Sequence, residues 1–151
     1  MILLIAAAIF VGGPPGPDGL PTVPGVQNTA VTAANIHSTI CVPGWSKTQR
    51  PPTSYTNKIK FALMAKAGIP RSQTRLYELD HMWSIEAGGS PTDPNNLWLE
   101  PYTGPLNAHL KDHVENVVHR EICSGRITLP QAGEKLRNWV ATYRAEIGPM
   151  P

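Results

Sequence analysis

Between residues 78 and 113 the chain carries three short polar clusters whose spacing restricts how it can fold. The first is Glu78-Leu79-Asp80-His81 and the second is Asn95-Asn96 ahead of Leu97. The third holds Asn107, His109, Lys111, Asp112 and His113. Gly88-Gly89 lies between the first two and supplies a turn without Cβ hindrance. The stretch 75–85 reads as a strand, 88–94 as the turn, and 96–100 as a second strand stopped by Pro101. Residues 106–123 read as an amphipathic helix, with Leu110, Val114, Val117 and Ile122 on its apolar stripe. His109, Asp112, His113, Asn116 and Arg120 form its polar side. A strand–turn–strand–helix unit can bring carboxylate, imidazole and amide groups to one point, and that point suits a divalent cation and a phosphodiester.

The surroundings are helical. Pro51-Pro52 precedes Thr53 and Ser54, either of which can cap a helix running to about Lys66. Ile59, Ala62, Leu63 and Ala67 mark its apolar face, and Gly68-Ile-Pro70 ends it. Thr128-Leu-Pro-Gln131 has the form of a capping box and opens a last helix to about Arg144. The fold class expected is therefore α+β: a short β-hairpin and a crossing helix embedded in additional helices.

Met1 is followed by ten apolar residues and then Gly-Gly-Pro-Pro-Gly-Pro. That length matches a secretory h-region and is too short for a bilayer, which takes about twenty residues. Residues 1–13 are expected to be a signal-like leader and 14–35, rich in Gly, Pro, Thr and Ala, a flexible or polyproline-like linker. Residues 36–151 form the domain, with 75–123 as its core. Cys41 and Cys123 are the only cysteines, and in an exported protein they form a disulfide. Periplasmic or secreted localisation follows, with no stable membrane span. Lys and Arg exceed Asp and Glu by 13 to 11, so charge does not decide for or against a polyanionic partner.

Hydrolysis of a phosphodiester needs a base to activate water and positive charge for the developing phosphorane. His81 is the candidate base, because a neutral imidazole is available near physiological pH. Asp80 is the candidate metal ligand. Adjacent strand residues point to opposite faces, so the two serve one site only where the strand ends. Asn96 offers an amide to fix the tautomer of the base. On the helix, His109 and His113 share a face, as do Asn107 and Lys111, and a neutral imidazole or amide oxygen can complete a site begun by Asp80. One divalent cation is expected, Mg²⁺ first, with Mn²⁺, Ni²⁺ or Zn²⁺ as alternatives.

Asp-His, Gly-Gly, Asn-Leu and a His/Asn-bearing helix, in that order, resemble the HNH-type (ββα-metal, His-Me finger) endonucleases. Glu78-Leu79-Asp80-His81 is similar to the corresponding strand of colicin-type nucleases. Cys-Val-Pro-Gly-Trp at 41–45 and Arg-Pro-Pro-Thr-Ser-Tyr-Thr-Asn at 50–57 are similar to exported bacterial HNH-like proteins of this size. The similarity spans about residues 40 to 144. It implies His81 as general base, Asn96 as the group orienting it, and Asp80 with His109 as metal ligands. Asn107 and His113 stay open as alternatives, because the stretch from Asn96 to His109 is longer than the common spacing. The two CxxC pairs that many HNH nucleases carry are missing.

The function expected is a metal-dependent endonuclease of low sequence specificity, with DNA preferred over RNA as substrate; any inhibitor protein is unknown. The alternative is a catalytically inactive finger that binds nucleic acid or a cell surface. Retention of His81 beside Asp80 favours the enzyme, since a binding module has no need of a base. A serine hydrolase ranks low because no Gly-x-Ser-x-Gly is present.

Overall fold

The structure, a computed structural model, describes residues 12–151. The expected leader thus lies outside the described residues, apart from Gly12 and Gly13. Two antiparallel strands, β1 (Tyr77–His81) and β2 (Leu97–Pro101), form a sheet in which Glu78 faces Glu100 and Asp80 faces Trp98. Around it lie α1 (Trp45–Gln49), α2 (Thr53–Lys66), α3 (Ala108–Cys123), α4 (Leu129–Arg137) and α5 (Trp139–Glu146). The class is α+β.

Strand alternation divides the core. Leu79, Leu97 and Leu99 pack with Ile59, Leu63 and Met64 of α2. On the other side Trp98 joins Val114, Val118 and Ile122 of α3 and Leu136, Trp139 and Tyr143 of α4 and α5. Each fully buried aliphatic side chain of α3 contributes about 1.5–3 kcal/mol relative to exposure.

β1 stops at His81, short of the expected residue 85. Met82 still donates to the Asn96 carbonyl at 2.8 Å. At Trp83, however, the Asn96 side chain replaces the neighbouring strand, accepting from Trp83 N and donating to Trp83 O, both at 2.9 Å. The chain then turns through a 3-10 segment, Ile85–Ala87, into Gly88 and Gly89. Gly88 has φ +98°, and a Cβ on Gly89 would stand 1.7 Å from Trp83 O. The glycine pair is thus a steric requirement of the hairpin. The last helix is interrupted at Asn138, giving α4 and α5 where one helix was expected. The Thr128–Gln131 capping box forms.

The segment 14–35 is not a tether. Val23 and Val31 are buried in the larger core cluster. Gly25 N and Asn28 N donate to Asn95 O and Gly88 O, and Ser90 N donates to Val26 O. Gly13 extends the sheet, exchanging hydrogen bonds of 2.9 Å with Leu97 O and Leu99 N. Backbone groups of the β1–β2 turn that would otherwise be orphaned are satisfied by this segment. Its Gly/Pro-rich composition therefore reflects turns against the domain, with the apolar anchors supplied by two valines.

Cys41 and Cys123 form a disulfide across a sequence separation of 82 residues. It fastens the loop before α1 to the end of α3. Closing a loop of this length restricts the unfolded chain, so Cys41→Ser combined with Cys123→Ser should lose up to about 4 kcal/mol of stability. A urea midpoint unchanged from wild type would remove the bridge from the account.

Candidate active site

His81 ends β1 and is 6 % exposed. Its Nε2 lies 3.0 Å from the Pro91 carbonyl. A carbonyl can only accept, so Nε2 carries the proton and Nδ1 keeps its lone pair. Burial lowers the pKa of the ring; the Asp80 carboxylate and the Pro91 hydrogen bond offset this only in part. The neutral form that can take a proton is favoured. The ring lines two clefts, one of about 270 Å³ between α2 and β1, the other of about 240 Å³ toward α3. The strand end thus allows Asp80 and His81 to reach one place: both line the second cleft.

Asn96 is fully buried and makes no hydrogen bond to the His81 side chain. Its Oδ1 accepts from Val26 N at 3.2 Å and Trp83 N at 2.9 Å, and its Nδ2 donates to Trp83 O and to Ser90 O at 2.7 Å. It orders the backbone 83–91, and that backbone presents the Pro91 carbonyl to the imidazole. The link from Asn96 to the His81 ring runs only through this main chain.

Asp80 meets α3 through Lys111. The ammonium is 1 % exposed and donates to Asp80 Oδ2 at 2.5 Å, to the His81 carbonyl at 3.0 Å, and to Glu115. All three of its protons are used. Around it stand more carboxyls than one cation can serve. Ligand oxygens of Glu78, Asp80 and Glu100 lie within 4.8 Å of one another, and no histidine joins a cluster of this kind among the described residues. Glu78 accepts from the Tyr102 hydroxyl at 3.0 Å. Glu100 is 1 % exposed, and its Oε1 has no hydrogen-bond partner.

The shared field separates the carboxyls. Burial would raise Asp80, but Lys111, a hydrogen bond with Glu100 and the charge of His81 hold it down at about 2. Glu115 is pushed up to about 8 by burial, against which Lys111 only partly works. Burial likewise raises Glu100 well above the usual carboxylate range. Burial of Lys111 opposes its charge, yet Asp80, Glu115 and Glu100 together raise its pKa far above that of an ordinary lysine.

The helix candidates for the metal stand elsewhere. Asn107 caps α3, its Oδ1 accepting from Leu110 N. His109 is exposed and stacks on Tyr102 with centroids 5.8 Å apart. His113 is exposed as well. At about 100° per residue, positions two before and two after Lys111 point away from it. With Lys111 turned to Asp80, neither histidine shares that direction. Lys111 had a signal in the sequence: it falls at i−3, i−7 and i−11 from Val114, Val118 and Ile122, a charge on the apolar stripe. Glu100, two residues from Trp98, faces the same way for the same reason.

The donor set could hold a hard divalent cation: three carboxyl groups with ligand oxygens within 4.8 Å of one another, one of them with an orphaned buried oxygen. Oxygen-only ligation suits Mg²⁺ or Mn²⁺ better than Zn²⁺ or Ni²⁺. The carboxyl cluster brings Glu78 and Glu100 beside Asp80, whereas His109 stands apart on the exposed side of α3. The two clefts also differ in charge. Lys60 and Arg50 face Glu78 in the first, whereas Asp80, Glu86, Asp112 and Glu115 face Arg50 in the second.

No family model, curated protein or solved structure matches the chain.

Proposed function

We propose that the protein is a metal-dependent phosphodiester hydrolase, an endonuclease of the ββα-metal (HNH-type) class acting on nucleic acid with little sequence preference. One observation carries the reading: His81, with Nδ1 free and the neutral form favoured, lies where a carboxylate cluster meets a basic cleft. Glu78, Asp80 and Glu100 would hold the cation, which when bound supplies positive charge to the phosphorane and the departing oxygen. His81 Nδ1 accepts the proton of the attacking water. Lys111 fixes Asp80 and the His81 main chain relative to one another. The cleft walls present donors suited to phosphate, which carries no sequence information. Export is consistent with the disulfide, and no helix among the described residues is long and apolar enough to cross a membrane.

A second reading, a non-catalytic binding module on the same framework, is favoured by the Lys111 ammonium, which already gives Asp80 a counter-charge. Calorimetric titration with Mn²⁺ separates them. The enzyme reading expects binding by the wild type and a loss in Asp80→Asn larger than the roughly 10- to 100-fold that removing a supporting group costs. Wild-type protein that takes up no Mn²⁺ at millimolar concentration supports the module.

A further inference from the structure

We propose that the cleft between α2 and β1 is a flanking subsite that seats the phosphate and sugar of the nucleotide next to the scissile bond, with Arg50 gripping that phosphate. The inference rests on the nuclease reading and names a part of the substrate it engages. Thr53, Thr56, Asn57 and Lys60 line the cleft at i, i+3, i+4 and i+7 of α2, so one polar stripe of the helix faces it. Ile59 and Leu63 of the same helix are buried in the core. The cleft reaches His81, which also lines the acidic cleft beyond. A strand occupying the first cleft therefore leads its next phosphate to the base.

Arg50 is the other residue that lines both clefts. It is exposed and makes no hydrogen bond or ion pair among the described residues, although its charge is felt at His81. Pro51 confines its backbone to the extended region, observed at φ −64° and ψ 128°, so the side chain leaves the main chain in a pre-set direction. A guanidinium so held offers a two-pronged donor to phosphate. Lys60 adds fixed charge: its Nζ donates to Thr74 O at 3.0 Å and Tyr77 O at 2.5 Å, which leaves one of its protons for a ligand. No Phe, Tyr or Trp lines the cleft, and a volume of about 270 Å³ suits one phosphate and sugar rather than stacked bases. Contacts of this kind position a strand without reading its sequence.

The test is fluorescence anisotropy of a short labelled single-stranded oligonucleotide on the full chain in EDTA, where cleavage is blocked. Arg50→Gln should weaken binding about tenfold, the loss expected for one charged hydrogen-bonded contact. It should also reduce the log–log salt slope by about one. Asn57→Ala should weaken binding and leave the slope unchanged. Lys47→Gln, which removes an exposed charge outside both clefts, should alter neither. Inorganic phosphate should displace the oligonucleotide only in part, because it fills one subsite of several. Arg50→Gln that binds like wild type, or no more weakly than Lys47→Gln, overturns the subsite while leaving a cleaving wild type intact as a nuclease. Complete displacement by sub-millimolar phosphate overturns the assignment to a strand. A wild type that neither binds nor cleaves overturns the nuclease reading and the subsite with it.

Discussion

Lys111→Met is expected to destabilise the metal-free protein by about 3–5 kcal/mol, the usual cost of removing one partner from a buried ion pair. The methionine fills much of the stem's volume, so lost packing is a small part of the effect. What remains is a pocket in which Asp80, Glu100 and Glu115 face one another without a cation. The His81 carbonyl loses its donor in the same change. Protonation is the only relief, and this gives the effect a pH signature. Glu115 has its folded pKa raised to about 8 from an ordinary 4.5. Stability tied to it is fully present below 4.5 and is lost as the pH rises through about 8. Glu100, raised in the same sense, adds to that loss. Asp80 acts oppositely: its contribution is present above 3.8 and is lost as the pH falls through about 2. Metal-free wild type should therefore weaken between about pH 5 and 8, and Lys111→Met should weaken more steeply over the same range. Added Mn²⁺ should recover part of the difference. Urea titrations of both proteins in EDTA across that range measure it, and a variant as stable as wild type would show that the buried ammonium does not hold α3 to the sheet.

His81→Ala should reduce cleavage by a factor of about 10² to 10⁴, the contribution typical of a general base. The ring is not among the residues assigned to the cation, so Mn²⁺ affinity should stay within a few-fold of wild type. The pH dependence is more diagnostic than the size of the loss. Only the neutral ring accepts a proton, so the wild-type rate rises as the pH passes upward through the His81 pKa. Because burial lowers that pKa, the acid limb should lie below 6.5. A limb well above 6.5, or one that persists in His81→Ala, would place the base elsewhere.

Much of the fold follows from local chemistry. The capping box at Thr128, the proline before α2 and the apolar spacing of α3 each state a boundary within a few residues. Asp80 and His81 converge for the reason their position suggests, a strand that ends at the imidazole. What the pattern conceals depends on partners distant in sequence. The segment 14–35 looks like a tether because it is rich in Gly, Pro, Thr and Ala, but two buried valines and a ladder to the turn suffice to pack it. Asn96 stops the strand and orders a loop with its side chain, a choice invisible until Trp83 is beside it. The exposed polar face of α3 draws attention to its histidines, whereas the residue bonded to Asp80 is Lys111, a charge on the buried face. A lysine on an apolar stripe has meaning only when the carboxylates opposite it are known.

Nicking of supercoiled plasmid by the purified wild type, with Mg²⁺ or Mn²⁺ and then with excess EDTA, decides whether the protein is a metal-dependent nuclease. Conversion to open-circular and then linear DNA is expected in the presence of the cation, with abolition by EDTA and restoration by added metal. Asp80→Asn and His81→Ala should be nearly inactive under the same conditions. Nicking that continues undiminished in EDTA, or a folded wild type that leaves both plasmid DNA and RNA intact in every divalent cation while binding them, would contradict that function.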